Sequence, residues 1–158
     1  MDMTSIHISP LEGLAAHYLA MPPVAAMRPA IDHWQDGHLR LRAPLAANVN
    51  DKGCAFGGSL VSLLTLASWG LVTLHVQQAG LEADVFVADS EVRYLAPLFG
   101  DLRAQARIAE DSAWGDFIAT LRERGRARTT LVATVPLPDG GIATTFRARY
   151  VAILRKHG

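Results

Sequence analysis

The fold is decided by NDKGCAFGGSLVSLLTLASWG, residues 50–70. A polar turn that contains three glycines and begins with Asn50 and Asp51 leads into a strongly apolar segment. No Asp, Glu, Lys or Arg occurs between residues 53 and 81, and the pattern predicts one helix over about residues 58–78. Such a helix is either a membrane span with a polar cap or a buried helix whose N-terminus faces a binding site.

The composition of the apolar segment favours the buried helix. Small and polar residues (Gly, Ser, Thr, His and Gln) interrupt the run, and the strands that follow alternate as in a soluble antiparallel sheet. We therefore predict no membrane span. With 158 residues the chain suits a single domain over residues 1–158, in which residues 1–8 form a flexible N-terminal segment.

Charge and cysteine content narrow the class of protein. Basic and acidic residues balance at 15 each, so nothing in the total charge favours nucleic acid or an anionic membrane. The single cysteine, Cys54, excludes an intrachain disulfide and is expected to be a small buried residue. A lone thiol and an N-terminus without a signal-peptide pattern predict a cytoplasmic protein.

Periodicity outside the long helix predicts two smaller helices and about six strands. SPLEGLAAHYLA has helical spacing with Ser9 as N-cap, and WGDFIATLRERG predicts a helix that ends at Gly125. QDG joins two short strands, and PDGG joins two later ones. In VFVADSEVRYL, alternation places Phe86 with Val92 on one face. The prediction is an α+β fold whose antiparallel sheet wraps the long helix.

The glycine turn, the helix and the strands together resemble the hot-dog fold thioesterases of the phenylacetate-pathway type. The pattern N-x-x-G-x-x-[H]-G-G is matched by Asn50, Gly53, Gly57 and Gly58, and the strand-end pattern YxxP by RYLAP, residues 93–97. The string NVNDKGCAFGGSL…LASWG is more similar still to a bacterial subgroup of thioesterase domains that occur alone or fused behind an acetyltransferase. The resemblance extends from about residue 41 to the end.

The chain departs from the enzyme pattern at two positions. Phe56 stands where the pattern has His before the paired glycines, which argues against the related dehydratases. The family carboxylate two turns into the helix corresponds to Thr65, or one turn away to Ser62 or Ser68. The long helix therefore lacks the general base or nucleophile that the resemblance implies.

The helix N-terminus is the predicted substrate-binding element. Its unpaired N–H groups and dipole could hold a thioester carbonyl, which glycines allow to approach closely. The predicted substrate-binding residues are Gly53, Phe56, Gly57, Gly58, Ser59 and Asp89, the last reaching the site from a partner subunit. The alternative for FGG, residues 56–58, is a tight strand-to-helix turn, and the alternative for Asp89 is a surface strand position.

Three residues are predicted to be catalytic. Asn50 could orient water or the thioester, or could bond its own turn. Asp51, the only carboxylate in the motif, could act as the base that the helix lacks, or could be a solvated loop charge beside Lys52. Thr65 could hold a water, or could bond the carbonyl four residues earlier.

These features predict a thioesterase that acts on an acyl-CoA or acyl-carrier thioester; the alternative is a non-catalytic acyl-thioester-binding or regulatory module.

The segment RERGRAR, residues 122–128, could bind coenzyme A phosphates or be a solvated surface. The histidines lack metal-ligand spacing, so no metal or cofactor is predicted. The uncharged helix and the open edge strands predict a homodimer or, by further association, a tetramer.

Overall fold

The computed structural model describes residues 8–156. These residues form four α-helices, a short 3₁₀ turn at Leu45–Ala47 and six β-strands. The helices are α1 (Pro10–Leu19), α2 (Pro22–Ala25), α3 (Gly57–Gln78) and α4 (Trp114–Arg124). The strands are β1 (Ala30–Gln35), β2 (His38–Ala43), β3 (Ala83–Tyr94), β4 (Leu102–Ile108), β5 (Arg126–Pro136) and β6 (Ile142–Leu154).

The strands form one antiparallel sheet in the order β1-β2-β4-β5-β6-β3. Alternate residues of the central strands are buried, as in RARTTLVATVP of β5, and these buried side chains pack against α3. The sheet therefore has an inner face around the long helix and an outer face that carries the polar side chains. The predicted α+β arrangement, with a sheet wrapped around the apolar helix, is confirmed.

Helix α3 is the core of the fold. By length and apolar composition it could cross a membrane, with a mean hydropathy of 1.6 over its most apolar window. In the fold, however, 67% of that window is buried, and Leu63, Leu64 and Leu71 are inaccessible to solvent. A helix that is apolar nearly all round is expected at such a central position.

The β1–β2 hairpin closes as the sequence predicts. Asp36 and Gly37 both have positive φ, at 51° and 75°. Two consecutive residues of this kind form the two-residue hairpin turn that matches the twist of the flanking strands. Asp tolerates this conformation and Gly adopts it without a steric penalty, so the QDG signal encodes the turn directly.

The predicted face assignment of β3 is wrong for its first half. A β-bulge lies between Val87 and Asp89, and the residues on either side of it pair with Tyr150 and Arg149. The extra residue reverses the alternation. Phe86 therefore lies on the outer face together with Asp89, whereas alternation alone placed it with Val92 on the inner face.

Helix α1 begins as predicted. The Ser9 hydroxyl accepts a hydrogen bond from the Glu12 N–H at 3.2 Å, and Pro10 occupies the first turn. The flexible segment predicted for residues 1–8 concerns mainly residues 1–7, which lie outside the described residues.

Candidate functional site

The segment that leads into α3 is held by a buried asparagine. The Asn48 side chain, only 3% exposed, donates from Nδ2 to the carbonyls of Met27 at 2.9 Å and Pro44 at 2.8 Å. The backbone carbonyl of Asn48 accepts a hydrogen bond from the Phe56 N–H at 2.7 Å. Asn48 therefore joins both ends of the turn to the body of the fold.

Asn50 closes the glycine turn on itself. Its Oδ1 accepts from the backbone N–H groups of Lys52 at 2.8 Å and Cys54 at 3.2 Å, and its Nδ2 lies 3.2 Å from the Cys54 Sγ. Gly53 has φ +81°, which explains the glycine at that position. The contacts of Asn50 are those of an asparagine turn, and Cys54 is a small buried residue as predicted.

The N-terminus of α3 carries backbone donors without partners. The Leu60 N–H bonds the Phe56 carbonyl at 3.0 Å, but the N–H groups of Gly57, Gly58 and Ser59 have no acceptor among residues 8–156. No side chain of the described part of the chain caps this end. A helix of 22 residues thus presents three free donors and the positive end of its dipole at the glycine turn.

Two aromatic rings flank these donors. The Tyr94 hydroxyl donates to the Gly57 carbonyl at 3.0 Å, and a Cβ added at Gly57 would lie 3.4 Å from the ring. The Phe56 ring lies over Gly58, where an added Cβ would come within 2.4 Å of it. Both rings are more than half exposed. A Cβ at Gly58 would therefore require the Phe56 ring to move, whereas one at Gly57 would make ordinary contact with the Tyr94 ring.

Thr65 lies on the one side of α3 that the sheet leaves partly open. The residues of this helix stripe are Gly57, Gly58, Val61, Ser62, Thr65, Trp69 and Thr73. The Thr65 hydroxyl donates to the Val61 carbonyl at 2.7 Å, which is the structural alternative considered for it. Its oxygen still has lone pairs that could accept a bond from water.

Two buried tyrosines fix the middle of α3. The Tyr18 hydroxyl donates to the Leu66 carbonyl at 2.6 Å, and the Tyr150 hydroxyl to the Thr65 carbonyl at 3.0 Å. Burial raises the pKa of both phenols far above the usual range, so they remain neutral donors. They hold the helix stripe in a fixed position relative to the sheet.

The two carboxylates proposed for the site are both exposed and paired with cationic side chains. The Asp51 side chain is 83% exposed and pairs with Lys52 at 3.0 Å. Asp89 lies on the outer face of the sheet, where Arg149 Nε contacts its oxygens at 2.9 and 3.0 Å. The hydrogen bond from Arg149 lowers the pKa of Asp89, which makes it a weak base. The roles assigned to both residues stay predictions.

Residues 15–154 match the family described as "Putative thioesterase (yiiD_Cterm)". The chain belongs to this family. Because the match covers most of the chain, including the glycine turn, α3 and all six strands, the predicted resemblance to hot-dog thioesterases is confirmed.

Solved structures of similar chains agree with the family assignment. A thioesterase from Shewanella oneidensis, itself described as putative, has 29% identity and a TM-score of 0.82, with 91% of this chain and 97% of that one covered. A Chlorobaculum tepidum protein of unknown function has 25% identity and a TM-score of 0.84, with 96% and 100% covered. A Haemophilus influenzae thioesterase, at 13% identity, shares the fold with a TM-score of 0.72, and the alignment covers 96% of this chain and 97% of that one.

Two residues next to the glycine turn were not assigned from the sequence. Asn48 stands two positions before the motif asparagine, and only its burial reveals its role. Its Oδ1 is buried and has no partner within residues 8–156. Tyr94 belongs to the predicted YxxP strand end, but its contact with Gly57 depends on how β3 lies beside the helix.

Proposed function

We propose that this thioesterase hydrolyses an acyl-CoA or acyl-carrier thioester at the N-terminus of α3. The observation that carries the proposal is the set of unpartnered N–H groups at Gly57, Gly58 and Ser59. Preorganised backbone donors stabilise an oxyanion as it forms on a carbonyl oxygen. Gly53 and Phe56 shape the approach to these donors.

The chemistry requires an activated water and a leaving thiol. Water attacks the thioester carbonyl carbon, and the carbonyl oxygen becomes an oxyanion that the N–H groups of Gly57 and Gly58 hold. Collapse of the tetrahedral intermediate breaks the carbon–sulfur bond, and the thiolate takes the proton that the water loses. The products are a carboxylic acid and the free thiol of the carrier. Positioning and oxyanion binding are the contributions that this helix end can supply.

A second copy of the chain would complete the site. Thr65 lies seven residues beyond Gly58, about 10 Å further along the helix axis, so the two are poorly placed to share one water within a single helix. An equivalent Thr65 from a partner, crossing the glycine turn, would avoid this separation. Asp51, or Asp89 from the partner, would then be the nearest alternative bases.

We propose a homodimer, with a tetramer as its possible extension, because two surfaces are left open. Strand β3 is a 12-residue edge strand, and the helix stripe of α3 is only partly covered. Long exposed edges attract a pairing strand, and two β3 edges could join symmetrically. Light scattering at micromolar concentration should give at least twice the 17.0 kDa chain mass; a monodisperse monomer would contradict the proposal.

Thr65→Asp should add the missing carboxylate and increase hydrolysis about tenfold. A carboxyl group on this partly buried stripe is poorly solvated, so its pKa should rise, and the rate should increase with pH as the carboxylate forms. The kcat of Thr65→Asp is measured from pH 5 to 9 against Thr65→Asn, which has the same shape without the charge. Equal rates for the two folded variants at every pH would exclude a base at this position.

We propose that Asn50 influences turnover by positioning the turn. Asn50→Ala removes the acceptor of two backbone N–H groups and should lower the free energy of unfolding by about 1–2 kcal/mol, together with kcat. Asn50→Asp keeps that acceptor and should restore both. If Asn50→Asp is as stable as the wild type but loses activity, the amide itself acts on the substrate, as the sequence predicted.

A panel of acyl-CoA and acylated carrier-protein substrates of increasing chain length tests the proposed function. Hydrolysis, detected as released thiol, should exceed the uncatalysed rate for at least one substrate. The non-catalytic alternative has its own support, because α3 lacks a carboxylate and Asp51 pairs with a lysine in solvent. Saturable binding of acyl-CoA without thiol release would favour that alternative.

We also propose that residues 1–158 form a single hot-dog domain that acts in the cytoplasm. The family match over residues 15–154 and the one core around α3 support the first point. The lone Cys54, which has no disulfide partner in the chain, supports the second.

A further inference from the structure

Three arginines meet on the outer face of the sheet near its β1 edge. Arg40 and Arg42 project from β2, and Arg103 projects from the neighbouring strand β4. The register places Arg42 directly opposite Arg103, and Arg40 opposite Gln105. Directly opposed residues of an antiparallel pair lie on the same face with their side chains in reach of each other. These residues are called the arginine cluster below.

The arginine cluster is incompletely neutralised. Arg42 pairs with Asp32, and Arg40 donates to Gln105. Arg103 has no ion pair or side-chain hydrogen bond among residues 8–156, although it faces a second arginine. Like charges directly opposed across a strand pair are destabilising. The fold therefore gains nothing from this pair by itself, whereas a bound anion would compensate it.

Elsewhere on the same face, most arginines have carboxylate partners. The pairs are Arg93–Glu91, Arg107–Glu110, Arg147–Asp111 and Arg149–Asp89. Arg126 and Arg128 form no ion pair within residues 8–156, but their cross-strand neighbours are the apolar Ile153 and Val151. Opposed arginines without a shared carboxylate therefore distinguish the arginine cluster from the rest of the sheet.

Two adjoining cavities extend from the arginine cluster to Leu98, a residue that contacts the segment before α3. The cluster borders a cavity of about 760 Å³ that also includes Asp32, the partner of Arg42, and Pro136. An adjoining cavity of about 410 Å³ shares Arg103 and Pro136 with it and extends to Leu98; its one carboxylate among residues 8–156, that of Asp101, accepts a hydrogen bond from the Leu45 N–H. The Leu98 carbonyl accepts a hydrogen bond from the Ala55 N–H at 2.8 Å, immediately before α3. A ligand in these cavities would therefore lie beside the segment that leads into α3.

We propose that Arg40, Arg42 and Arg103 bind the phosphate groups of the thioester carrier. The inference rests on the proposed function for the thioester end of the ligand. Guanidinium groups bind phosphate through paired, charge-assisted hydrogen bonds. In both coenzyme A and a carrier protein, the phosphates lie at the end of the pantetheine arm that is remote from the sulfur. Coenzyme A offers a diphosphate and a ribose phosphate, and a carrier protein offers one phosphodiester.

Calorimetric binding without any acyl group tests the arginine cluster. Coenzyme A, pantetheine, and a carrier protein with or without its phosphopantetheine arm are titrated into the wild type and Arg103→Gln. Arg107→Gln is the matched control, because it removes the same charge from the same strand and face outside the arginine cluster. Arg103→Gln should weaken coenzyme A or the armed carrier about tenfold, and Arg107→Gln should not. Pantetheine, which has no phosphate, should bind all three proteins equally.

Each outcome has a distinct meaning. If Arg103→Gln weakens only the binding of coenzyme A, the carrier of the thioester is coenzyme A. If it weakens only the binding of the armed carrier protein, the arginines bind the phosphodiester of that protein. If neither ligand depends on Arg103, the proposal is overturned. If binding depends on Arg103 but no thioester is hydrolysed, the phosphate site stands and the proposed hydrolase function falls. The Tm of Arg103→Gln should equal or exceed that of the wild type, since one of two opposed charges is gone.

Discussion

Gly57→Pro should lower kcat by about 100- to 1,000-fold, the usual effect of removing one oxyanion donor. Gly57 is the first residue of α3, where the N–H has no helical acceptor. Proline removes that N–H while its fixed φ suits the first helical position. The preceding residue, Phe56, already has the extended conformation that proline requires, with φ −65° and ψ 130°. The substitution should therefore remove a donor and leave the helix intact.

Gly57→Ala is the control for this experiment. It adds a Cβ 3.4 Å from the Tyr94 ring but keeps the N–H, so it should retain most of the activity. Both variants should unfold within about 5 °C of the wild type. If Gly57→Pro folds and retains its kcat, the oxyanion is not held by this N–H group. If Gly57→Ala loses as much activity as Gly57→Pro, access past Tyr94 is the limiting factor.

Gly70→Ala should lower the free energy of unfolding by about 3 kcal/mol, at the upper end for an overpacked core. On an isolated helix the same change would be favourable by about 1 kcal/mol. In this fold an added Cβ would lie 2.2 Å from the Tyr18 hydroxyl and 2.9 Å from Leu39 Cδ2. Tyr18 cannot withdraw without breaking its bond to the Leu66 carbonyl. Steric overlap should therefore outweigh helix propensity.

Thermal and urea unfolding measure this effect, with an expected fall in Tm of about 6–12 °C. Gly115→Ala in α4 is the matched control, because its Cβ would meet no atom of residues 8–156 within 4 Å; it should stabilise the protein by up to about 1 kcal/mol. Adding Tyr18→Phe to Gly70→Ala should recover part of the loss, since the nearest clashing atom is removed. A Gly70→Ala protein as stable as the wild type would show that α1 packs on α3 less closely than described.

Local sequence signals predicted most of the elements. The uncharged run predicted the bounds of α3 to within one residue, and Asp36 and Gly37 indicated the turn of the first hairpin. Ser9 identified the start of α1, and Gly125, with φ 74°, the end of α4. Each of these features depends on residues within a few positions of one another, so the sequence contains the complete physical cause.

The candidate site was predictable only in outline. The paired glycines pointed to the helix N-terminus, which carries free N–H groups. The sequence left the partners of Asn50 open, and the structure shows that its side chain bonds its own turn. It also shows that the Thr65 hydroxyl bonds the Val61 carbonyl. Short polar side chains have several local acceptors and donors, and packing determines which of them they use.

The amino-acid sequence by itself determined the α+β class, the long core helix and the glycine turn before it, because hydrophobic period and turn chemistry act over short distances. Only the tertiary structure decided which distant residues meet. A single bulge moved Phe86 to the outer face, and strand register placed Arg42 opposite Arg103 and Asp89 beside Arg149. One residue of slip would reverse each face. These juxtapositions therefore follow from the whole sheet rather than from any local stretch of the chain.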